Sequence, residues 1–83
     1  VDEIFIFPNP TKNVVNIEFR LPHFTVKSVK IVSTLGKIIF IDYLNKFIKT
    51  YRQQIYLGNL SNGLYLIEIE TEKGMFYKKL MLQ

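Results

Sequence analysis

Few residues of this chain have the type and spacing that catalysis requires. His23 is the only histidine among the 83 residues, and it lies between Pro22 and Phe24 in a segment with no regular pattern. The chain has no cysteine and no second histidine, so a zinc site cannot be completed, and His23 has no evident partner as a general base. The serines lack a partner base, and the four glycines form no phosphate-binding pattern. The sequence therefore predicts a protein that is not an enzyme and holds no cofactor.

Three carboxylates, Glu68, Glu70 and Glu72, fall on one face of a predicted strand. Carboxylate oxygens are calcium ligands, but a linear row lacks the converging loop geometry of calcium sites. Pairing with Lys78 or Lys79 across a hairpin is the better explanation, because opposite charges on neighbouring strands attract each other. We therefore predict no metal site.

Tyrosines offer a second kind of chemistry, since β-sandwiches that bind sugars often present aromatic faces. There are five, Tyr43, Tyr51, Tyr56, Tyr65 and Tyr77. Tyrosine is also common in ordinary strands, at the boundary between core and solvent, and the chain has no tryptophan. A sugar-binding module is therefore an alternative rather than the first interpretation.

The net charge of +4 and the pI near 9.4 permit weak attraction to nucleic acid or anionic lipid. The lysines, however, are spaced like the solvent-facing residues of strands and loops, which favours an ordinary solvated surface. Apolar runs such as residues 38–41 are far shorter than the roughly 18 residues that a membrane span requires. We expect neither a nucleic-acid partner nor a membrane-spanning segment.

Alternation of apolar and polar residues is the dominant pattern, and it predicts strands. Val15, Ile17 and Phe19 fall on one side of such a strand, with polar residues between them. Similar segments, separated by turn residues at intervals of roughly 8 to 12 positions, indicate about seven short strands. We predict an all-β, immunoglobulin-like antiparallel β-sandwich, with residues 1–83 as a single domain.

Residues 44–57 are the ambiguous part of the pattern. Phe47, Tyr51 and Ile55 recur at helical spacing, whereas the residues around Ile55 also alternate as in a strand. We predict an irregular loop that leads into a short strand.

Proline and glycine mark the turns. The Pro8-Asn9-Pro10 segment has two fixed φ angles and lacks two amide donors, so it should be a stiff connection between strands. Gly36 stands where a hairpin needs a positive φ, and Gly63 permits a tight backbone before Tyr65. We predict structural roles for these residues.

A complete two-stranded hairpin, residues 61–83, ends the chain. The first residue is valine rather than methionine, so we expect the chain to be a piece of a longer precursor. A domain that ends with its last strand suggests an address or an adaptor.

Four motifs follow one another along the whole chain. They are Phe7-Pro8-Asn9-Pro10-Thr11 with residues 15–19, residues 29–39 around Leu35-Gly36-Lys37, residues 60–69 around Gly63-Leu64-Tyr65, and Lys78-Lys79-Leu80-Met81-Leu82-Gln83. In this order and spacing they resemble the type A C-terminal sorting domain of cargo exported by the type IX secretion system of Bacteroidetes. The chain departs from that family around residues 45–54, where many members are shorter.

The resemblance implies an immunoglobulin-like sandwich that stands last in a precursor and engages the outer-membrane translocon. It also implies a cargo domain linked on the N-terminal side, export through the periplasm and the outer membrane, and removal of the domain by a sorting peptidase. The released cargo is then anchored to surface lipopolysaccharide or shed. An adhesive or carbohydrate-binding module is the alternative, because fold alone does not separate these functions.

The last strand is the candidate recognition surface. If it lies at a sheet edge, its unpaired backbone groups can pair with a strand of the translocon, while its lysines limit indiscriminate pairing. We therefore predict that the translocon recognises Lys78, Lys79, Leu80, Met81, Leu82 and Gln83.

Overall fold

Within the residues that the structure describes, the alternating segments form seven strands, as predicted. The computed structural model describes residues 2–44 and 48–83, and these residues contain no helix. The strands are β1 (Glu3–Phe7), β2 (Val14–Arg20), β3 (Val26–Ser33), β4 (Ile38–Tyr43), β5 (Thr50–Tyr56), β6 (Gly63–Thr71) and β7 (Gly74–Leu82).

The strands form two antiparallel sheets, one of three strands in the order β1-β2-β5 and one of four in the order β4-β3-β6-β7. In the second sheet β4 lies beside β3, which is the position of strand C′ in variable-type immunoglobulin domains. The prediction of an all-β fold with antiparallel sheets is confirmed, and the arrangement is that of a β-sandwich.

The core consists of the inward-facing residues of both sheets. Alternate residues of β2 and β6 are buried, among them Ile17 and Ile69, which are both 0% exposed. Ile31 of β3 and Ile67 of β6 lie directly opposite each other and are also fully buried. Burial of these apolar faces is the main force that holds the sheets together, because the chain has no cysteine for a disulfide.

Strand β5 is the main difference from the predicted pattern, because it pairs with all of β2 over seven residues. Tyr51 and Ile55 both face the core. Residues four apart lie on the same face of a strand, and they also lie on the same face of a helix. Their spacing therefore could not distinguish the two structures. The predicted loop falls partly on residues 45–47, including Phe47, which lie outside the described residues.

A side-chain hydrogen bond joins β5 of one sheet to β4 of the other. The Tyr51 hydroxyl donates to Asp42 Oδ2 at 2.7 Å, and the Tyr51 ring stacks on Phe19 with the centroids 4.9 Å apart. Burial raises the pKa of Tyr51 above its ordinary value, and the hydrogen bond and the negative charge of Asp42 raise it further.

Because of the Tyr51–Asp42 hydrogen bond and the burial of Tyr51, we expect the free energy of unfolding to decrease at alkaline pH. The folded-state pKa of Tyr51 is above the unfolded value of about 10, so its stabilising contribution is complete below that pH and is lost as the pH rises towards the folded-state pKa. Tyr51→Phe cannot ionise at this position and should lose less stability over that range. Urea unfolding of both proteins at pH values from about 8 to 11 measures the difference. An equal decrease in the two proteins would contradict the expectation.

Candidate functional site

All four sequence motifs reach the same end of the sandwich, although they are spread over the whole chain. Ser33 at the end of β3 is opposite Tyr65 near the start of β6, and Gly63 is opposite Leu82 at the end of β7. Thr11 forms a β-bridge with Leu82, which places the first motif at the same end. The connection between β5 and β6 lies at the same end, because Leu57 N–H donates to the Asn13 carbonyl. We call this region the motif end, and it comprises residues 8–13, 34–37, 57–62 and 82–83.

Four hydrogen bonds join the first motif to the last. Asn9 Nδ2 donates to the Lys79 carbonyl at 2.8 Å, and Met81 N–H donates to Asn9 Oδ1 at 3.0 Å. Thr11 N–H donates to the Met81 carbonyl at 2.9 Å, and Gln83 N–H donates to the Thr11 carbonyl at 2.8 Å. We call Asn9 and Thr11, with these four bonds, the β7 clamp. The peptide bonds before Pro8 and Pro10, on either side of Asn9, are both cis.

The β7 clamp changes what the last strand offers to a partner. Strand β7 is at the edge of its sheet, as the recognition hypothesis requires. However, the clamp already uses the Lys79 carbonyl, both outward groups of Met81 and the Gln83 amide. A partner strand would have to displace Asn9 and Thr11 to pair there, so the predicted pairing through unpaired backbone groups does not hold for the end of β7.

Removal of the Asn9 side chain should lower the stability of the domain. Asn9→Ala eliminates two of the four clamp bonds, and each net hydrogen bond contributes about 0.5–1.5 kcal/mol, so we expect a loss of about 1–3 kcal/mol in the free energy of unfolding. Asn13→Ala is the matched control in the same connection, because that side chain is exposed and only its main-chain carbonyl is used. Urea unfolding measures both, and equal midpoints for the two variants would contradict the role of the clamp.

Tyr65 fixes the start of β6. Its hydroxyl donates to the Ser61 carbonyl at 2.6 Å, and the residue is 7% exposed. This is the arrangement of the tyrosine corner of immunoglobulin-type sandwiches, in which a tyrosine near the start of strand F binds the backbone a few residues upstream. Gly63, between the two residues, has a φ of +143°, which side chains rarely tolerate.

We expect Tyr65→Phe to lose about 1 kcal/mol of stability, because it deletes one hydrogen bond and preserves the packing of the ring. Tyr43→Phe is the control, since Tyr43 is 68% exposed and its loss of a hydroxyl should change little. Thermal unfolding of the two variants distinguishes them, and a Tyr65→Phe melting temperature equal to that of the wild type would contradict the expectation.

The connection between β3 and β4 presents an apolar side chain to solvent. Gly36 has a φ of +85°, and its amide donates to the Ser33 carbonyl at 2.9 Å. The Ser33 hydroxyl accepts hydrogen bonds from the amides of Leu35 and Lys37. The turn is thus held by its backbone and by the Ser33 hydroxyl, and Leu35 is 96% exposed at its tip. Leu35 contributes almost no burial to the fold and is a contact residue available at the motif end.

The six residues predicted to be recognised divide into two sets. Leu80 and Leu82 are 0% and 1% exposed and belong to the core. The other four are exposed: Lys78, Lys79, Met81 and Gln83. Only the exposed set can contact a partner while the domain remains folded.

The predicted pairing of the carboxylates with Lys78 or Lys79 is wrong. The register places Tyr77 opposite Glu68 and Met75 opposite Glu70, and within the described residues no ion pair forms between these strands. Glu70 instead accepts a hydrogen bond from the Ser28 hydroxyl, and Glu72 accepts one from the Thr25 amide.

The candidate residues for catalysis or metal binding do not come together in the described parts of the chain. His23 is exposed in the connection from β2 to β3. In residues 2–44 and 48–83 no group of three or more histidine, cysteine or acidic residues is placed to hold a metal ion. Over the same ranges no helix is long and apolar enough to cross a membrane.

Sequence reasoning missed the β7 clamp and the exposure of Leu35. The sequence predicts a local, structural role for Asn9, but the partners of its side chain are 70 and 72 residues away in sequence. The one local signal of the β7 clamp is the position of an asparagine between two prolines. Its side-chain amide can replace the backbone donors that proline lacks.

The fold and the motif end together define an immunoglobulin-like β-sandwich module whose characteristic residues are gathered at one end. Comparison with sequence models of protein families matches residues 5–83 to the secretion system C-terminal sorting domain. The chain therefore belongs to this family, the sorting domains of type IX secretion, and the predicted resemblance is confirmed. Curated proteins and solved structures give no significant match.

Membership of this family establishes the function at a coarse level. The domain is a C-terminal sorting signal for type IX secretion, which implies attachment to a cargo and export to the cell surface or the medium. A family of sorting signals also favours a role without catalysis.

Proposed function

We propose that residues 1–83 form one domain of a longer precursor and act as its non-catalytic export signal. The domain directs an attached cargo from the periplasm through the outer-membrane translocon of the type IX system, and a sorting peptidase at the surface removes it. The observation that carries this proposal is the convergence of four dispersed motifs on the motif end, in a chain whose family is defined by sorting. A receptor can bind such an end as one surface, because the sandwich holds the motifs in fixed positions.

Recognition involves the exposed members of the last motif. Lys78, Lys79, Met81 and Gln83 provide side chains to the translocon, whereas Leu80 and Leu82 hold β7 in the core. Leu35 adds an exposed apolar side chain from the turn between β3 and β4, at the motif end of the same sheet. Exposed apolar and basic groups on a rigid scaffold are typical of protein-binding surfaces.

The alternative of a sugar-binding module receives less support from the positions of the aromatic rings. Tyr43 and Tyr77 are exposed on the outer face of the four-stranded sheet, but they lie on its two opposite edge strands. Strands are about 4.8 Å apart, so three spacings put these rings about 14 Å from each other. Tyr56 lies on the other sheet. The exposed tyrosines do not form a common platform for a sugar ring.

The proposed function is tested by fusing the chain to the C-terminus of a periplasmic reporter in a type IX-competent host. We expect the reporter to reach the cell surface or medium, and to remain in the periplasm of a strain without the translocon. The Ile67→Asn variant should not fold, so its fusion tests whether export requires a folded signal. A wild-type fusion that is folded but retained in the periplasm would reject the proposal, and glycan binding by that fusion would support the alternative.

A further inference from the structure

The β7 clamp leaves the first half of this edge strand open. In an antiparallel pair, alternate residues direct their N–H and C=O groups away from the neighbouring strand. The clamp binds outward groups of Lys79, Met81 and Gln83, so the odd-numbered residues of β7 face outward. The remaining outward groups are the Lys79 amide and both groups of Met75 and Tyr77. None of them has a hydrogen-bond partner within the described residues. We call residues 75–79 the open edge.

Two lysines at the open edge select which strand can pair with it. Lys78 is opposite the buried Ile67 and points to the inner face, yet it is exposed, while Lys79 is opposite Leu66 on the outer face. Neither lysine forms an ion pair with the residues that the structure describes. An apolar strand added here would bring two ammonium groups out of water without a partner, which is costly. Cations on an edge strand exclude such pairing.

A strand with two consecutive carboxylates removes this obstacle. Successive residues of a strand point to opposite faces, so neighbouring acidic residues can reach the two lysines, one on each face. Towards Met75, at the other end of the open edge, carboxylates of a partner strand are disfavoured. Glu68 and Glu70 lie opposite Tyr77 and Met75, and they repel additional carboxylates there. Tyr77 and Met75 are 56% and 40% exposed, so this part of the edge favours apolar or neutral residues.

We propose that the open edge is a docking site for an extended, antiparallel strand of a partner protein. The partner strand carries two consecutive carboxylate residues opposite Lys79 and Lys78, and then an apolar residue opposite Tyr77. Its backbone pairs with the remaining outward groups, which are the Lys79 amide and both groups of Met75 and Tyr77, as in other cases in which a peptide adds a strand to a sheet edge. The inference rests on the proposed function, since it assigns this strand to the export machinery.

Proline substitution tests the backbone contact. Tyr77→Pro removes an outward N–H and leaves the hydrogen bonds between β6 and β7 intact, because proline is tolerated at such edge positions. Tyr77→Thr retains the N–H and removes the same ring. Gln54→Pro makes the equivalent backbone change on edge strand β5. The bonds of Lys49 with Leu21 and of Leu57 with Asn13, just beyond the two ends of β2, show that even-numbered residues of β5 face outward.

In the reporter assay we expect Tyr77→Pro to lower export about tenfold, with Tyr77→Thr and Gln54→Pro close to the wild type. Circular dichroism melting checks that each variant folds. If Tyr77→Pro melts well below Gln54→Pro, the charge-reversal double variant Lys78→Glu, Lys79→Glu replaces it and should lower export similarly. Export of a folded edge variant at the wild-type level would overturn the inference, whereas retention of the wild-type fusion itself would reject the proposed function instead.

A peptide titration tests the chemistry of the partner. The probe is a blocked seven-residue peptide, Thr-Glu-Glu-Val-Thr-Val-Thr, added to the isotope-labelled 83-residue chain and followed by amide chemical shifts. We expect the shifts to centre on residues 75–79, and the peptide with glutamine in place of glutamate to bind about 3- to 10-fold more weakly. Methylation of the backbone nitrogen of the first valine should weaken binding further. Equal affinity for the two peptides, no binding, or shifts centred elsewhere would overturn the proposed docking site.

Discussion

Replacing Ile67 by asparagine should unfold the domain. The side chain is 0% exposed and lies in the core opposite Ile31. Loss of its apolar atoms costs about 2–5 kcal/mol, and an amide buried without a partner adds about 1–3 kcal/mol. A domain of this size has a total stability of about 4–12 kcal/mol, so the substitution removes most or all of it. Ile31→Asn should act in the same way, since it affects the other half of the same pair.

Leu64→Asn is the matched control for Ile67→Asn, because it makes the same kind of change on β6 at a residue that is 38% exposed. We expect this variant to melt within a few degrees of the wild type. Circular dichroism and urea unfolding of both variants measure the contrast. A melting temperature of Ile67→Asn similar to that of Leu64→Asn would show that the core does not depend on this contact.

The fold was predictable because alternation along each strand decides which residues are buried. Val15, Ile17 and Phe19 face the core as their spacing indicates, and the same holds for Ile67. Lys78 is the exception, because alternation points it inward. It remains exposed because β7 is an edge strand, and the position of a strand within a sheet cannot be deduced from its own sequence.

The register of the last hairpin explains why the predicted charge pairs do not form. The turn between β6 and β7 contains only Glu72 and Lys73, so Thr71 pairs with Gly74. From that pair outward, every even-numbered residue of β6 meets an odd-numbered residue of β7. Glu68 therefore faces Tyr77, and Lys78 faces Ile67. A shift of one residue in the turn would reverse the pairing, and alternation alone does not determine that shift.

The candidate site was predictable only in part, because its residues meet through contacts that are remote in sequence. The motifs are visible locally, but their convergence depends on the order of the strands in two sheets. The bonds of Asn9 to β7 join opposite ends of the chain, and they determine which part of the edge remains open. Sequence reasoning thus found the last strand but placed its accessible backbone at the wrong end.

Deleting residues 78–83 should also unfold the domain, and export lost in this way would not identify a recognition surface. The deletion removes Leu80 and Leu82 from the core, at about 1.5–3 kcal/mol for each buried side chain. It also leaves the first residues of β6 without a neighbour on one side and deprives Asn9 and Thr11 of their partners. Together these losses of about 3–6 kcal/mol or more approach the total stability of so small a domain.

Point substitutions in the same segment separate folding from recognition. Lys78→Gln with Lys79→Gln changes only exposed side chains, so we expect a melting temperature within a few degrees of the wild type and reduced export. Leu80→Asn should instead lose both the folded structure and export, as the deletion does, because Leu80 is fully buried. Protease resistance of each purified variant, compared with its export, makes the distinction. A truncated domain that remains protease-resistant would show that β7 is less essential to the core than its burial indicates. Within residues 78–83 of a folded domain, only the exposed lysines, Met81 and Gln83 can contact a partner. Loss of export in the folded double lysine variant therefore assigns Lys78 and Lys79 to recognition.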